Sequence, residues 1–118
     1  MENPFYIYKA FVTGVYDGDT ITVNIDAGFN IWLYKEKIRL NRINAPEVTG
    51  STKSKGIASR DFLRNLVLNK EVLIETIKDR KEKYGRYLGE IYLKSSETET
   101  ININDLLVEK GFAVYKNR

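Results

Sequence analysis

The stretch Val15-Tyr16-Asp17-Gly18-Asp19-Thr20-Ile21-Thr22-Val23 sets two carboxylates around one glycine, between runs rich in β-branched residues. Carboxylates this close repel each other unless something positive sits between them, so the pair is suited to holding a hard cation. A turn is the ordinary alternative, because Asp-Gly is a favoured hairpin dipeptide and glycine accepts positive φ. Asp19 is the residue that a plain turn does not require. Two further segments could carry chemistry. Arg39-Leu40-Asn41-Arg42-Ile43-Asn44-Ala45-Pro46-Glu47 ends a strand-like run in a proline stop, and Lys83-Tyr84-Gly85-Arg86 is a basic turn. Each of the three segments, taken alone, is also explained as a loop with solvated charges.

The absences narrow the chemistry. With no His and no Cys, imidazole bases, thiol nucleophiles, disulfides and His- or Cys-ligated zinc are excluded. Any hydrolysis must rest on carboxylates, Lys, Arg, Tyr and an oxygen-binding cation. The 19 basic and 16 acidic residues leave a net charge of +3, a modest bias toward an anionic partner. No leader-like start and no run of about 18 apolar residues is visible. A cytoplasmic chain with no membrane association is therefore expected, with a processed, secreted form as the alternative, folded as one domain over residues 1–118.

The elements that must position these segments follow from periodicity. Tyr6 to Tyr16 is rich in aromatic and β-branched residues and reads as a strand. Thr20 to Asp26 alternates polar and apolar without a break, with Ile21, Val23 and Ile25 on one face. A turn at Asp26-Ala27-Gly28 leads to a third extended run, Ile31 to Ile43. From Ser54 the period becomes helical: Ile57, Ala58, Phe62, Leu63, Leu66 and Val67 share a face, and Asn69-Lys70 ends the run. Glu71 to Lys78 and Tyr87 to Lys94 are strands on either side of a charged loop, Asp79 to Arg86. After a polar turn from Ser95 to Thr100, Asn102 or Asn104 could cap a short helix that Gly111 stops. The order predicts an α+β, mainly β chain: a five-stranded OB-fold barrel with a helix between strands 3 and 4 and a short C-terminal helix.

With these motifs in this order, the sequence resembles the staphylococcal nuclease-like (thermonuclease) family. The resemblance rests on Asp17 to Thr20, Arg39 to Glu47 and Lys83 to Arg86, and on the helix from Gly56 to Val72 and the ending from Asn104 to Tyr115. It implies a nuclease that cleaves phosphodiester bonds of DNA, RNA or both and leaves 3′-phosphate products. In it, Asp19 would bind Ca²⁺ directly, with Asp17 in an outer shell and the Ala45 backbone carbonyl as a further ligand. Arg39 and Arg86 would bind the substrate phosphate and Glu47 would be the general base for the attacking water. Lys83 and Tyr84 would lie beside the bound nucleotide, with Tyr115 a candidate for base contact. The residue types suit those tasks: guanidinium forks grip phosphate oxygens, and a carboxylate can activate water where no histidine exists.

One departure bears on the metal. Asn44 stands where the best-known family member has a second aspartate ligand, and its amide oxygen carries no formal charge. An active enzyme with low Ca²⁺ affinity is expected, with Mg²⁺ as the alternative hard cation. The expected partner is single-stranded DNA or RNA, bound by a monomer. The competing reading is a catalytically weak or inactive OB-fold nucleic-acid-binding module. Retention of Asp19, Arg39, Glu47 and Arg86 together favours the enzyme.

Overall fold

Alternation in the sequence becomes a closed barrel through a few specific pairings. A computed structural model describes residues 4–116. Strand β1 (Ile7–Asp17) pairs antiparallel with both β2 (Thr20–Asp26) and β5 (Glu71–Lys81). Strand β2 pairs with β3 (Trp32–Leu40), and β5 with β6 (Tyr87–Lys94). Three parallel pairs, Ile38 with Tyr87, Arg39 with Leu88 and Leu40 with Gly89, join β3 to β6 and close the ring. The barrel order β1-β2-β3-β6-β5 is that of an OB-fold. Gly89 makes the closure feasible, because a Cβ there would lie 3.0 Å from Ile74 Cγ2 and 3.1 Å from Ile38 Cγ2.

Helix α1 (Lys53–Val67) lies between the third and fourth barrel strands, after a two-residue strand β4 (Ile43–Asn44). A short strand β7 (Thr100–Asn102) extends the sheet from β6, and β8 (Val114–Tyr115) pairs with β4. Between them runs α2 (Ile103–Glu109). Its cap is Asn102, whose side chain accepts the Asp105 N–H at 3.0 Å. Asn104, the other candidate, is fully buried and serves the barrel. Its Oδ1 accepts the Ile91 N–H, and its Nδ2 donates to the carbonyls of Asn41 and Gly89. Gly111, at φ 83°, ends this segment in the left-handed conformation expected of it.

The core is aliphatic. Ile21, Ile38, Leu40, Ile43, Leu63, Ile74, Ile91 and Leu107 are all fully buried. The structure differs from the periodic pattern in three places. Strand β3 ends at Leu40, because Arg42 adopts φ 68° and starts β4 as a separate element. Strand β5 continues to Lys81 through a bulge at Lys78 and Asp79 (φ 52° and 57°). Asp79 staples that bulge, accepting from Thr76 Oγ1 and Tyr8 Oη, each at 2.6 Å. The buried face of α1 is Gly56, Ser59, Leu63 and Val67, whereas Ala58 is exposed. Two of those positions are small and carry no apolar signal, so the hydrophobic period places the contact face slightly off its true direction.

Candidate functional site

One row across the barrel brings the three segments together. Asp17 pairs with Thr20, Thr20 with Arg39, and Arg39 with Leu88. The β1–β2 turn, the end of β3 and the β5–β6 hairpin therefore meet at one edge, although up to 71 positions separate Asp17 from Leu88 in the chain.

Arg39 is the centre of this edge. By strand parity it points outward between Ile38 and Leu40, yet it is only 7% exposed because loops fold over it. Its Nη1 donates to the carbonyls of Leu40 (2.9 Å) and Ile43 (3.0 Å). Its Nη2 donates to Asn44 Oδ1 at 2.6 Å and pairs with Asp19 Oδ2 at 3.2 Å. Asp19 Oδ2 also accepts the Ala45 N–H at 2.8 Å. Asp19, Arg39, Asn44 and Ala45 thus form one hydrogen-bonded unit, in which Ala45 presents its N–H to the carboxylate.

Asp17 is bound to this unit from outside, its Oδ1 accepting the Asp19 N–H at 3.0 Å. Burial and then the neighbouring Asp19 carboxylate push its carboxyl up to about 6, against a weaker downward pull from the Asp19 N–H and from Arg39. A pKa raised in the folded state means that stability is fully present below the ordinary carboxylate value and is lost as pH rises through about 6. Asp17→Asn keeps the acceptor and removes the charge. In chelator it should raise the melting temperature at neutral pH by roughly 4 °C, corresponding to about 1 kcal/mol after solvent screening. It should also flatten the stability profile between about pH 4 and 6. Thermal melts across that range check both; an unchanged profile would mean that Asp17 bears no such strain.

The glycine between the carboxylates has a different role from the one a hairpin suggests. Gly18 is not among the residues with positive φ. It is confined by packing: a Cβ would lie 2.7 Å from the Cβ atoms of both Ala45 and Ser59. The β1–β2 turn is therefore pressed against both the loop after β4 and helix α1. Glu47 is placed by the same helix. Its carbonyl accepts from Thr52 Oγ1 at 3.0 Å, and a Cβ on Gly56 would come within 2.0 Å of that carbonyl oxygen. The Glu47 side chain is exposed and engages in no hydrogen bond or ion pair among the described residues. Its backbone is fixed while its carboxylate stays available.

Arg86 is oriented by Glu82, a residue that the motif reading missed. Its Nε and Nη2 each donate to a Glu82 oxygen at 3.1 Å. Glu82 Oε1 also accepts the N–H groups of Tyr84 (3.0 Å) and Arg86 (2.9 Å). The Arg86 side chain in first place pulls the Glu82 carboxyl down to about 2. The Arg86 guanidinium is raised first by its hydrogen bonds to Glu82 and only lastly by the carboxylates of Asp19 and Asp17, whose field therefore reaches it. A Glu four residues before an Arg was the available sequence signal. At the hairpin tip, Lys83 and Arg86 lie over the exposed Tyr84 ring, 5.0 and 5.5 Å from its centroid.

Beside this hairpin opens a groove of about 800 Å³. Ile77, Leu88 and Tyr115 provide apolar lining, with Arg42, Arg80 and Lys116 among its cations. Tyr115 is held by its hydroxyl, which donates to Asp105 Oδ1 at 2.8 Å, and Arg42 lies 5.7 Å from its ring centroid. Arg42 is itself fixed by Glu90 (3.0 and 2.6 Å) and Asp105 (2.9 Å). Lys83 and Tyr84 sit at the hairpin tip and do not line the groove. The groove residues come from the turn before β4, from β5, β6 and β8, far apart in sequence, and of these only Tyr115 was expected to contact a base.

The donor set at the edge is compatible with a hard divalent cation. Asp17, Asp19 and the Asn44 amide offer oxygen ligands, and the Asp17 carboxyl, raised first by burial and then by Asp19, shares this edge with a second carboxylate and one guanidinium. The set is sparse: no three acidic groups converge as a metal cluster among the described residues.

A sequence model of the family described as staphylococcal nuclease homologue matches residues 37–118. Arg39, Asn44, Glu47 and Arg86 fall within the match, and Asp17 and Asp19 precede it. The chain is also 30% identical, over 127 residues, to the uncharacterized protein MJ1439 of Methanocaldococcus jannaschii. That alignment covers 90% of this chain but 58% of the relative's length. The family match points to a nuclease or nucleic-acid-binding function.

Proposed function

The chain belongs to the staphylococcal nuclease homologue family, and from that premise we propose that it is a Ca²⁺-dependent nuclease that hydrolyses phosphodiester bonds of single-stranded DNA or RNA. The observation that carries this reading is the single barrel row that unites Asp17 and Asp19, Arg39 with the loop to Glu47, and the hairpin of Arg86.

In the proposed reaction, Glu47 takes a proton from the attacking water, with its side chain free and its backbone fixed by α1. Arg86 contacts the phosphate with donors beyond those given to Glu82, and Arg39 holds Asp19 and Asn44 in place while its charge faces the same phosphate. Together the two guanidinium groups offset the charge that develops on the phosphorus oxygens. The groove at Leu88 and Tyr115 receives an unstacked base, which favours single strands over duplex. Asp19 and the Asn44 amide would hold the cation, with Asp17 behind them, and the bound ion would supply Lewis-acid polarisation of a phosphate oxygen. Among the described residues no helix is long and apolar enough to cross a membrane, and we take the working form to be a cytoplasmic monomer.

A specific observation supports a second reading. Both arginine forks already engage carboxylates, Arg39 with Asp19 and Arg86 with Glu82, as a binding module with a decayed site would also permit. The deciding experiment is cleavage of a fluorogenic single-stranded DNA with Ca²⁺ titrated upward against a chelator control. Calcium-dependent cleavage is the expected result; salt-sensitive binding without cleavage at any Ca²⁺ concentration establishes the module instead. Asn44→Asp should shift the Ca²⁺ midpoint of cleavage to lower concentration by about tenfold, since one added carboxylate strengthens a hard-cation site. An unmoved midpoint would place Asn44 away from the ion.

A further inference from the structure

The barrel opens where β3 and β6 part. Their parallel pairing begins at Ile38 and Tyr87, so the part of β3 before Ile38 has no partner on β6. Interior positions beside this gap carry little bulk. Thr76 continues the inward series of Val72 and Ile74 and pairs with Gly89, so neither side chain fills the space. What remains is a cleft of about 270 Å³. Its walls are the cross-strand pair Ile25 and Leu33, Ala27 of the β2–β3 turn, and the rings of Tyr8 and Tyr87. Tyr8 points inward by strand parity with the buried Ala10 and Val12. Thr76 and the bulge residue Asp79 form its polar edge. None of these residues lines the groove at Tyr115 or belongs to the hydrolytic edge. Ile25 lies five residues from Thr20 along β2, about 17 Å at the usual rise of a strand.

Asp79 gives this mouth its chemistry. Its Oδ2 accepts the Tyr8 hydroxyl and its Oδ1 the Thr76 hydroxyl, each at 2.6 Å. Two neutral donors orient a carboxylate without cancelling its charge, and they leave each oxygen able to accept again. The Tyr8 hydroxyl is pushed up to about 12, first by its hydrogen bond to Asp79 and then by burial, so it stays a donor at neutral pH. No ion pair offsets Asp79 among the described residues. Lys78 and Arg80 flank it in the chain, but Lys78 is exposed and Arg80 lines the groove, where water screens both. A charged acceptor on the rim of an apolar, ring-walled cleft complements an organic ammonium, and barrel mouths are common ligand sites. An anion would be repelled by Asp79, and a purely apolar body would strip water from the carboxylate without replacing it. Tyr87 already accepts a cation, with Lys81 Nζ 5.1 Å from its ring centroid. We propose that the mouth binds a small primary ammonium with an apolar body, of the arylalkylamine class, whose ring lies among Ile25, Leu33, Tyr8 and Tyr87 while its N–H groups donate to Asp79. The cleft is smaller than the usual drug-sized site, so one ring and a short chain fill it. This site is independent of the nuclease reading.

The test titrates the full chain with 2-phenylethylamine at neutral pH, following backbone amide resonances. Those of Ala27, Leu33, Thr76 and Tyr87 should shift to saturation, while those of Gly18, Asp19 and Ala45 at the hydrolytic edge stay in place. 2-Phenylethanol and 3-phenylpropanoate carry the same ring without the ammonium and should bind about tenfold more weakly or worse. That loss lies between the worth of an exposed ion pair and that of a charged hydrogen bond in a dry site. Asp79→Asn should weaken the amine by a similar factor, and Ala27→Leu, which fills the mouth from the turn, should remove the shifts. Equal binding of the alcohol or the carboxylate overturns the proposal, because the cleft would then recognise no charge. Shifts confined to the hydrolytic edge or the groove, or none that saturate, overturn it as well. So does parent-like affinity in Ala27→Leu or in a folded Asp79→Asn. Asp79 staples the β5 bulge, and if its replacement unfolds the chain, the ligand series and Ala27→Leu decide the matter by themselves.

Discussion

Glu47→Gln should lower turnover on single-stranded DNA by about 10²- to 10⁴-fold, the range for loss of a positioned general base. Oligonucleotide affinity and melting temperature should stay close to those of the parent chain. The separation of effects follows from the placement of the residue. Its side chain is exposed and makes no hydrogen bond or ion pair among the described residues, so exchanging carboxylate for amide costs within about 0.5 kcal/mol of stability. The amide keeps the shape and loses the ability to accept a proton. Single-turnover cleavage at saturating Ca²⁺, with binding and thermal melts on the same preparation, checks all three quantities. Parent-like turnover would remove Glu47 from the chemistry.

Gly56→Ala should have the opposite profile, losing stability and activity together. In an ordinary helix interior this exchange stabilises by about 1 kcal/mol, because glycine gives up more backbone freedom on folding. Here the added Cβ would lie 2.0 Å from the Glu47 carbonyl oxygen, 2.4 Å from its carbon and 2.7 Å from the Val48 nitrogen. All three are backbone atoms, so no side chain can rotate away. Either α1 or the Glu47 loop must move, at a cost of about 3 kcal/mol that outweighs the helical gain. Displacing the Glu47 carboxylate by about 1 Å costs on the order of 10² in rate. Urea unfolding and turnover on the same variant test the pair of effects. A stabilised variant would show that the helix–loop contact is slack and does not position Glu47.

Much of the fold is written locally. The unbroken alternation from Thr20 to Asp26 forms the strand it describes, Tyr87–Lys94 likewise, and Asn102 and Gly111 bound α2. These signals survive in one dimension because strand period, capping and left-handed glycine depend only on near neighbours. The charged stretch after Ile77 hid the end of β5, since a bulge stapled by Tyr8 and Thr76 depends on a contact with a distant strand.

The candidate site divides in the same way. By itself the sequence determined the chemical inventory: carboxylates at Asp17, Asp19 and Glu47, guanidinium groups at Arg39 and Arg86, and no imidazole or thiol. Set against the family it resembles, it also put the uncharged amide of Asn44 where a second carboxylate is expected. Only the tertiary structure decided how these groups meet. Register between strands put Asp17, Thr20, Arg39 and Leu88 in one row, and burial committed Arg39 to Asp19, Asn44 and two carbonyls. Gly18 reads as a turn residue along the chain and is a packing residue in space, because Ala45 and Ser59 occupy the volume that its Cβ would need. Residue type fixes what a group can do, whereas proximity, desolvation and available volume arise only when distant segments share one place.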